Sequence, residues 1–408
     1  MRDHSSHICG SRHQVVGALM QRWEFTRETE TVAVVDACGR VVAHDVMSRN
    51  ELPNKRTSNM DAIAVRFDDF EAGEPDISGW KRGVEWQFCN TGVAVPDGFD
   101  TAIAIEQVEV DEAGEKLLAI TQTPSERFQM TTEEGAVLQE GDLLVAAGEV
   151  VTPTLMAALS MGGFTQVDVV RRPRVAFIPT GNELVAPTDE VPRGKNVESN
   201  GAMINAKIAE WGGEPVRFDV VPDDPDKILA ALRDACAKAD IVAINAGSSK
   251  GSDDWTCEIL EREGEILFHE VNQGPGRHCS FALLDGKPVI GISGPPIGAE
   301  FTADFFLKPF VDVYLGADTS FPPTVQAIML DDAPMSPRPV NVVKRVVVRR
   351  DENDRFVAWT YHMTERPVIR GCNDANGLVT VAPDSYGWQE GDLVEVELRW
   401  PYALPPRL

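Results

Sequence analysis

The sequence has little that would tie it to a membrane, to nucleic acid or to a disulfide scaffold. No apolar run approaches the roughly 20 residues that span a bilayer, and the opening MRDHSSHICGSRHQ lacks the hydrophobic stretch of an export signal. No block of Lys and Arg offsets the formal net charge of -26, so nucleic-acid backbones and anionic lipid would be repelled. The seven cysteines (Cys9, Cys38, Cys89, Cys236, Cys257, Cys279 and Cys372) are odd in number, scattered and never spaced C-x-x-C. That pattern points to the reducing cytoplasm. Repeats and low-complexity tracts are missing too, as is any Ser-His-Asp or Cys-His order, and Cys279 beside Arg277 reads as an inert thiol. His4, His7, Cys9 and His13 read as part of a frayed terminus and carry no assigned function. A soluble cytoplasmic protein is expected, with no nucleic-acid partner and no membrane insertion.

What is present is ordinary for a folded chain: 408 residues, 43% apolar and 25% charged. That length is too great for one core and predicts two to four domains. Val15, Val16, Leu19, Met20 and Trp23 share one helical face. Short β-like runs such as VEWQF, TAIAIEQVEV and KLLAI follow, divided by Gly, Pro and Asp. TPTLMAALSMGG then signals a helix, with Thr152 as N-cap, Pro153 at the first position and Gly162 as the stop. From about residue 173 strands and helices alternate, the mark of a parallel sheet with crossover helices. The strands are RVAFIP, VRFDVV, DIVAINA, EILFHEV and PVIGIS, with helices near 200–211, 225–238, 253–262 and 297–313. The expected fold is α/β plus β-rich domains. Residues 1–49 and 148–172 form a helical or linker domain, 50–147 a β-rich insertion, 173–322 the parallel-sheet α/β domain and 323–408 a C-terminal β-barrel-like domain.

Ligands of an open parallel sheet bind outside the carboxyl ends of its strands. The turns there are TGNEL, PDDP, GSSKGSDD and GPP. Gly181, Gly247, Gly251 and Gly294 let backbone approach a ligand, while Thr180, Ser248, Ser249 and Ser252 offer hydroxyls near helix starts. Each turn alone also reads as an ordinary strand-to-helix connection, and it is their common edge that suggests an oxyanion cradle. Glu183, Asp223, Asp224, Asp253 and Asp254 suit Mg²⁺ held against phosphate, or equally the capping of helices. Lys250, Arg277 and His278 supply nearby positive charge, and Arg277 on its Gly-Pro-Gly turn is either a solvated side chain or an oxyanion contact. A second polar island, NKRTSNMDAIAV, presents Asp61 upstream.

In order and spacing these segments resemble the MoeA and gephyrin E-domain family of molybdopterin molybdenumtransferases, over essentially the whole chain. NMDAIAV is similar to AMDGYAV, TGVAVPDGFDTAIAIEQ to TGAxxPxGADAVVxxE, and PTGNELV to STGDELV. The segment NVESNGAMINAKIAEWGGEP with VPDDPDKI matches the family's D-S-N helix and DDP turn. GSSKGSDDWT matches GVSVGDYDxT, and GPGRHCSFALLDGKPVIGISGPPIGA matches KPGKPxxFxxxxGKPVFGLPGNPVSA. The resemblance implies a homodimer of four-domain subunits with a MogA-like α/β domain, its cleft formed where that domain faces the β-rich domain of a partner subunit. It further implies Mg²⁺-dependent release of AMP from adenylylated molybdopterin, coupled to insertion of molybdate or tungstate. An adenylylating protein would act before it, and a molybdo- or tungsto-enzyme or its chaperone would receive the product.

By the same resemblance the catalytic residues are Asp61, Glu183, Asp254 and Arg277, and the metal-binding ones Glu183, Asp223, Asp224 and Asp254. Substrate would be held by Thr91, Thr180, Gly181, Gly247, Ser248, Ser249, Lys250, Gly251, Ser252, Gly276, Gly294 and Pro295. Several positions depart from the family pattern. Gly274 replaces the first lysine of KPGKP and Arg277 the second, Ala62-Ile63 replace Gly-Tyr, Pro295 replaces an asparagine, and Glu133 and Glu134 stand where positive charge is expected. Lys250, Lys55 or Arg56 could restore some of that charge. The departures leave room for a paralogue that only binds molybdopterin or its nucleotide, as carrier, chaperone or scaffold. The α/β segment alone also resembles the adenylylating domain one step earlier, but NMDAIAV and the C-terminal strands argue against that assignment.

Overall fold

The computed structural model describes residues 9–246, 255–317, 322–361, 369 and 371–399. Two units divide the chain: Thr29–Val170 forms one, and Met1–Glu28 with Arg171–Leu408 the other. In the larger unit, helix α1 (Arg12–Arg22) starts at Ser11, whose Oγ accepts from the Gln14 N–H while the Gln14 side chain accepts from the Ser11 N–H. This reciprocal cap satisfies donors a helix start leaves unpaired. Val15, Val16, Leu19 and Trp23 are buried on one face as the spacing predicts, each contributing about 1.5–3 kcal/mol by leaving water.

The smaller unit pairs β1 (Thr29–Ala33) with a later strand and builds a three-stranded sheet from β2 (Ala62–Val65), β3 (Trp86–Cys89) and β4 (Thr101–Ala104), with β2 in the centre. All four β2 residues are buried, and Ile63, Val65, Trp86 and Ile103 form the core beneath them. A second core gathers Val34, Val42, Leu138, Val145, Leu159 and Val169. Helix α2 (Pro153–Met161) has Thr152 as N-cap, Pro153 in its first turn and Gly162 as C-cap. The partner of β1 is β5 (Gln166–Val170), antiparallel in the register Thr29↔Val170 to Ala33↔Gln166.

The larger unit continues with β6 (Arg174–Ile178), α3 (Asn200–Glu210), β7 (Glu214–Arg217), α4 (Pro225–Lys238), β8 (Ile241–Ala246), α5 (Trp255–Glu263), β9 (Glu265–His269), β10 (Ser280–Leu284) and β11 (Lys287–Ser293). The sheet order is β7-β6-β8-β11-β10-β9. Its first four strands are parallel, as the alternating pattern predicts, while β10 runs antiparallel to both β11 and β9. The sequence pattern does not announce β10, because its residues SFALL directly follow a polar turn. Buried Ala176, Ile178, Leu232, Val242, Ile244, Leu260 and Val289 pack one core of this domain.

The helix expected over 297–313 forms as α6 (Pro296–Thr302) and α7 (Lys308–Tyr314), separated by a π-turn over Ala303–Leu307. Pro309 lacks the N–H that a regular helix would use there, so the turn widens. Five C-terminal strands close into a barrel: β12 (Thr324–Met329), β13 (Asn341–Arg350), β14 (Phe356–Thr360), β15 (Gly377–Val381) and β16 (Leu393–Leu398). Their order is β13-β14-β12-β16-β15, with β15 pairing back onto β13. Closure pairs each of the five strands on both sides, and the short strand Gln273–Gly274 adds to β13 in parallel. No described helix is long and apolar enough to cross a membrane.

Candidate functional site

Strands β6, β8 and β11 run parallel and in step, with Ile178 opposite Ile244 and Ala246 opposite Ser293. Their carboxyl ends therefore share one rim, which the turns after β6 and β11 occupy. Strand β9 points the same way, since it and β11 are both antiparallel to β10. The loop 270–279 joins the rim for that reason.

Hydrogen bonds knit the rim turns together. Thr180 Oγ1 donates to the Asn245 carbonyl at 2.9 Å, and the Gly181 N–H donates to Val221 O at 3.2 Å. Gly181 has φ +146°, and a Cβ there would lie 2.7 Å from a carboxylate oxygen of Glu183. The backbone angle favours glycine, whereas the Glu183 side chain could swing away from a Cβ. The Asn182 N–H donates to Asp223 Oδ2 at 2.8 Å, and the Asp223 N–H returns a bond to Asn182 Oδ1 at 3.3 Å. Asp224 Oδ1 accepts from the N–H groups of Asp226 (3.0 Å) and Lys227 (3.2 Å), so this carboxylate caps α4.

Asn200, at the first turn of α3, is a node that motif spacing did not single out. Its Nδ2 donates to the Gly294 carbonyl at 2.8 Å and to Asn245 Oδ1 at 3.4 Å, and both asparagines are buried. Among the described residues, a Cβ on Gly294 would meet Asn245 Nδ2 alone, at 3.9 Å. The fitted segment NVESNGAM held the signal, but a polar side chain one residue into a helix looks like any capping residue until its partners are known.

Gly276, at φ +84°, packs against α6, where a Cβ would lie 3.3 Å from Thr302 Oγ1. The neighbouring Arg277 donates from Nε (3.0 Å), and its Nη2 lies 2.9 Å from the same oxygen, Glu270 Oε2. His278 Nδ1 lies 3.2 Å from Glu270 Oε1. Cys279 is buried, and burial pushes its thiol well above the usual range, so it stays protonated and unreactive at neutral pH. Burial likewise pushes Cys236 and Cys372 up to about 11. All seven cysteines are free thiols.

In the smaller unit Asp61 and Thr91 come together. Asp61 Oδ1 accepts from the Thr91 N–H at 3.0 Å and from its hydroxyl at 3.1 Å, with both residues exposed. The cations suggested as replacements are engaged there: Lys55 pairs with Asp97 at 2.7 Å, and Arg56 lies 3.9 Å over the Phe128 ring and donates to Thr131. Glu133 and Glu134 are exposed.

Thr180, Gly181, Glu183, Asp223, Asp224, Gly276, Arg277, Gly294 and Pro295 thus belong to turns of one unit, and Asp61 and Thr91 to the other. Gly247, Ser248, Ser249, Lys250, Gly251, Ser252, Asp253 and Asp254 lie outside the described residues, as do His4 and His7. Among the described residues no three His, Cys, Asp or Glu side chains are grouped to hold a metal ion.

Comparison with known proteins addresses both halves of the chain. The family model of the MoeA N-terminal region (domain I and II) matches residues 11–163, and that of the "Probable molybdopterin binding domain" matches residues 176–313. Molybdopterin molybdenumtransferase of Bacillus subtilis (strain 168) is 28% identical over 408 aligned residues, covering 93% of this chain and 94% of that one. The Staphylococcus aureus (strain COL) protein of the same name is 28% identical over 325 residues, covering 74% and 75%. The molybdopterin biosynthesis MoeA protein from Pyrococcus horikosii superposes with a TM-score of 0.77 at 26% identity, over 96% of this chain and 99% of that one. An N-terminal MoeA region followed by an α/β domain of the molybdopterin-binding type and a closed barrel defines a class of molybdenum-cofactor biosynthesis proteins. The chain belongs to the MoeA family of transferases.

Proposed function

We propose that this chain inserts molybdate, or tungstate, into adenylylated molybdopterin with release of AMP. It would act as a cytoplasmic homodimer, between the protein that adenylylates molybdopterin and the molybdo- or tungsto-enzyme, or its chaperone, that receives the cofactor. The observation that carries this reading is the rim itself: Thr180–Glu183, the Asn245 end of β8, Gly276–Arg277 and Gly294-Pro295 are gathered at one edge. Backbone groups and hydroxyls held this way can cradle phosphate without charge of their own.

In the reaction a water oxygen attacks the AMP phosphorus as the phosphoanhydride bond to molybdopterin breaks. A carboxylate takes the water proton, a role for which Glu183 and Asp61 are the candidates among the described residues, and Asp254 another by sequence. General-base assistance of this kind is worth about 10²–10⁴ in rate. Arg277 is assigned to the oxyanion, because a guanidinium matches planar or tetrahedral oxygens in forked geometry. Thr91 steers Asp61 through its two hydrogen bonds.

Mg²⁺ fits the described carboxylates poorly. Among the described residues Glu183, Asp223 and Asp224 are not grouped to hold a metal ion, and the Asp224 carboxylate caps α4. The test is AMP release by the full-length protein incubated with adenylylated molybdopterin and molybdate or tungstate, with and without Mg²⁺ and a chelator. Release with one or both anions is expected, and no release with either rejects the reading. Retained activity under chelation removes the Mg²⁺ requirement alone.

A further inference from the structure

Arg277 offers positive charge at the rim and is already matched by a carboxylate of its own loop. Its Nε and Nη2 lie 3.0 and 2.9 Å from the same oxygen, Glu270 Oε2. The two side chains are unequally placed, with 46% of the Arg277 side chain accessible but only 18% of the Glu270 side chain. The acid is thus tucked behind the cation that meets solvent.

The loop backbone fixes this arrangement. The Arg277 carbonyl accepts from the N–H groups of Val271 and Cys279, both at 3.1 Å, and the Glu270 N–H donates to Cys279 O at 2.8 Å. Glu270 itself sits at φ +74°, a conformation uncommon for a residue with a side chain. Gly10 forms a single parallel bridge to Val271, and the Asn272 N–H donates to the Gly10 carbonyl at 3.0 Å. His278 occupies the other Glu270 oxygen at 3.2 Å.

We propose that Glu270 is a positioning residue that acts through Arg277, an internal counter-ion lowering the affinity of this rim for oxyanions. This inference rests on the assignment of Arg277 to the oxyanion in the transferase reading. An anion approaching an unpaired guanidinium meets a full positive charge. Approaching the Glu270–Arg277 pair, it meets a nearly neutral couple and must share or displace the carboxylate. Weak holding suits a site that must pass its metal oxyanion on to a product.

The test is calorimetric titration of the full-length protein with sodium molybdate alone, for wild type, Glu270→Gln, Arg277→Ala and the double variant. Glu270→Gln keeps the side-chain shape and should tighten molybdate binding on the order of tenfold, one net charge at short range near a surface. Arg277→Ala should weaken binding, and adding Glu270→Gln to it should recover much less than tenfold, only the direct repulsion of the carboxylate, because no guanidinium is left to free. Unchanged molybdate affinity in Glu270→Gln, or the same gain in the absence of Arg277, overturns the proposal. Should Glu270→Gln fail to fold by thermal unfolding, Glu270→Asp withdraws the carboxylate by one methylene. It should give part of the gain, and no gain there overturns the proposal equally. AMP release by the wild type is scored separately, so its absence rejects the transferase reading, whereas active wild type with unresponsive Glu270 variants rejects only the counter-ion.

Discussion

The rim of the six-stranded sheet and the Asp61 island of the smaller unit are both polar, yet they are built in opposite ways. At the rim, Asn200 and Asn245 are buried and bond across three different chain segments. On the island, Asp61 and Thr91 are exposed and bond to each other. A buried amide that loses its partner leaves another buried group unsatisfied, whereas an exposed carboxylate exchanges its partner for water. Substitutions in the first region should therefore disturb folding and function together, and those in the second should separate them.

The largest expected effect lies next to the rim, on α6. Glu300 is buried and pairs with both Arg345 (2.5 Å) and Arg399. Glu300→Ala strands these cations and should cost about 3–5 kcal/mol in urea unfolding. Burial tends to raise the Glu300 pKa, but Arg399, Arg345 and Lys207 outweigh it and hold the carboxyl below its usual range. Its stabilisation is therefore present above the ordinary glutamate range and lost as pH falls through the lowered folded value. The wild-type urea midpoint should drop in that acidic window, and the drop should shrink in Glu300→Ala.

Asn200→Ala should cost about 1–3 kcal/mol, since the buried Asn245 amide and the part-buried Gly294 carbonyl lose their donor, and should lower AMP release as well. Full activity with full stability would break the picture of a cross-linked rim. Asp224→Ala removes the α4 cap and should cost about 0.5–2 kcal/mol. At the small end, Asp61→Ala should stay within about 0.5 kcal/mol of wild type in stability. A loss of several kcal/mol there would erase the contrast between the two regions.

Much of this was legible in local chemistry. Thr152, Pro153 and Gly162 announce α2, and the alternation after residue 173 announces the parallel strands, because capping and periodicity act over a few residues. Asp61 and Thr91 were each marked by the motif that carries it, but their hydrogen bonds to one another were not. Strand β10 was obscured by the polar turn before it, and the break at Ala303–Leu307 by an apolar helical pattern that continues through Pro309. Asn200 as a node and Glu270 as the partner of Arg277 were illegible for a deeper reason. Their significance lies in which segment the topology brings opposite them, and no periodicity encodes that.

The central claim, that the rim and the Asp61 island carry transferase chemistry, is met most directly by single-turnover release of AMP from adenylylated molybdopterin in the presence of molybdate, with molybdenum incorporation counted alongside. Wild type should release one AMP for each molybdenum incorporated, and folded Asp61→Ala and Glu183→Ala should each be slowed by about 100-fold. Wild-type rates in both variants, or AMP release without molybdenum incorporation, would contradict the account.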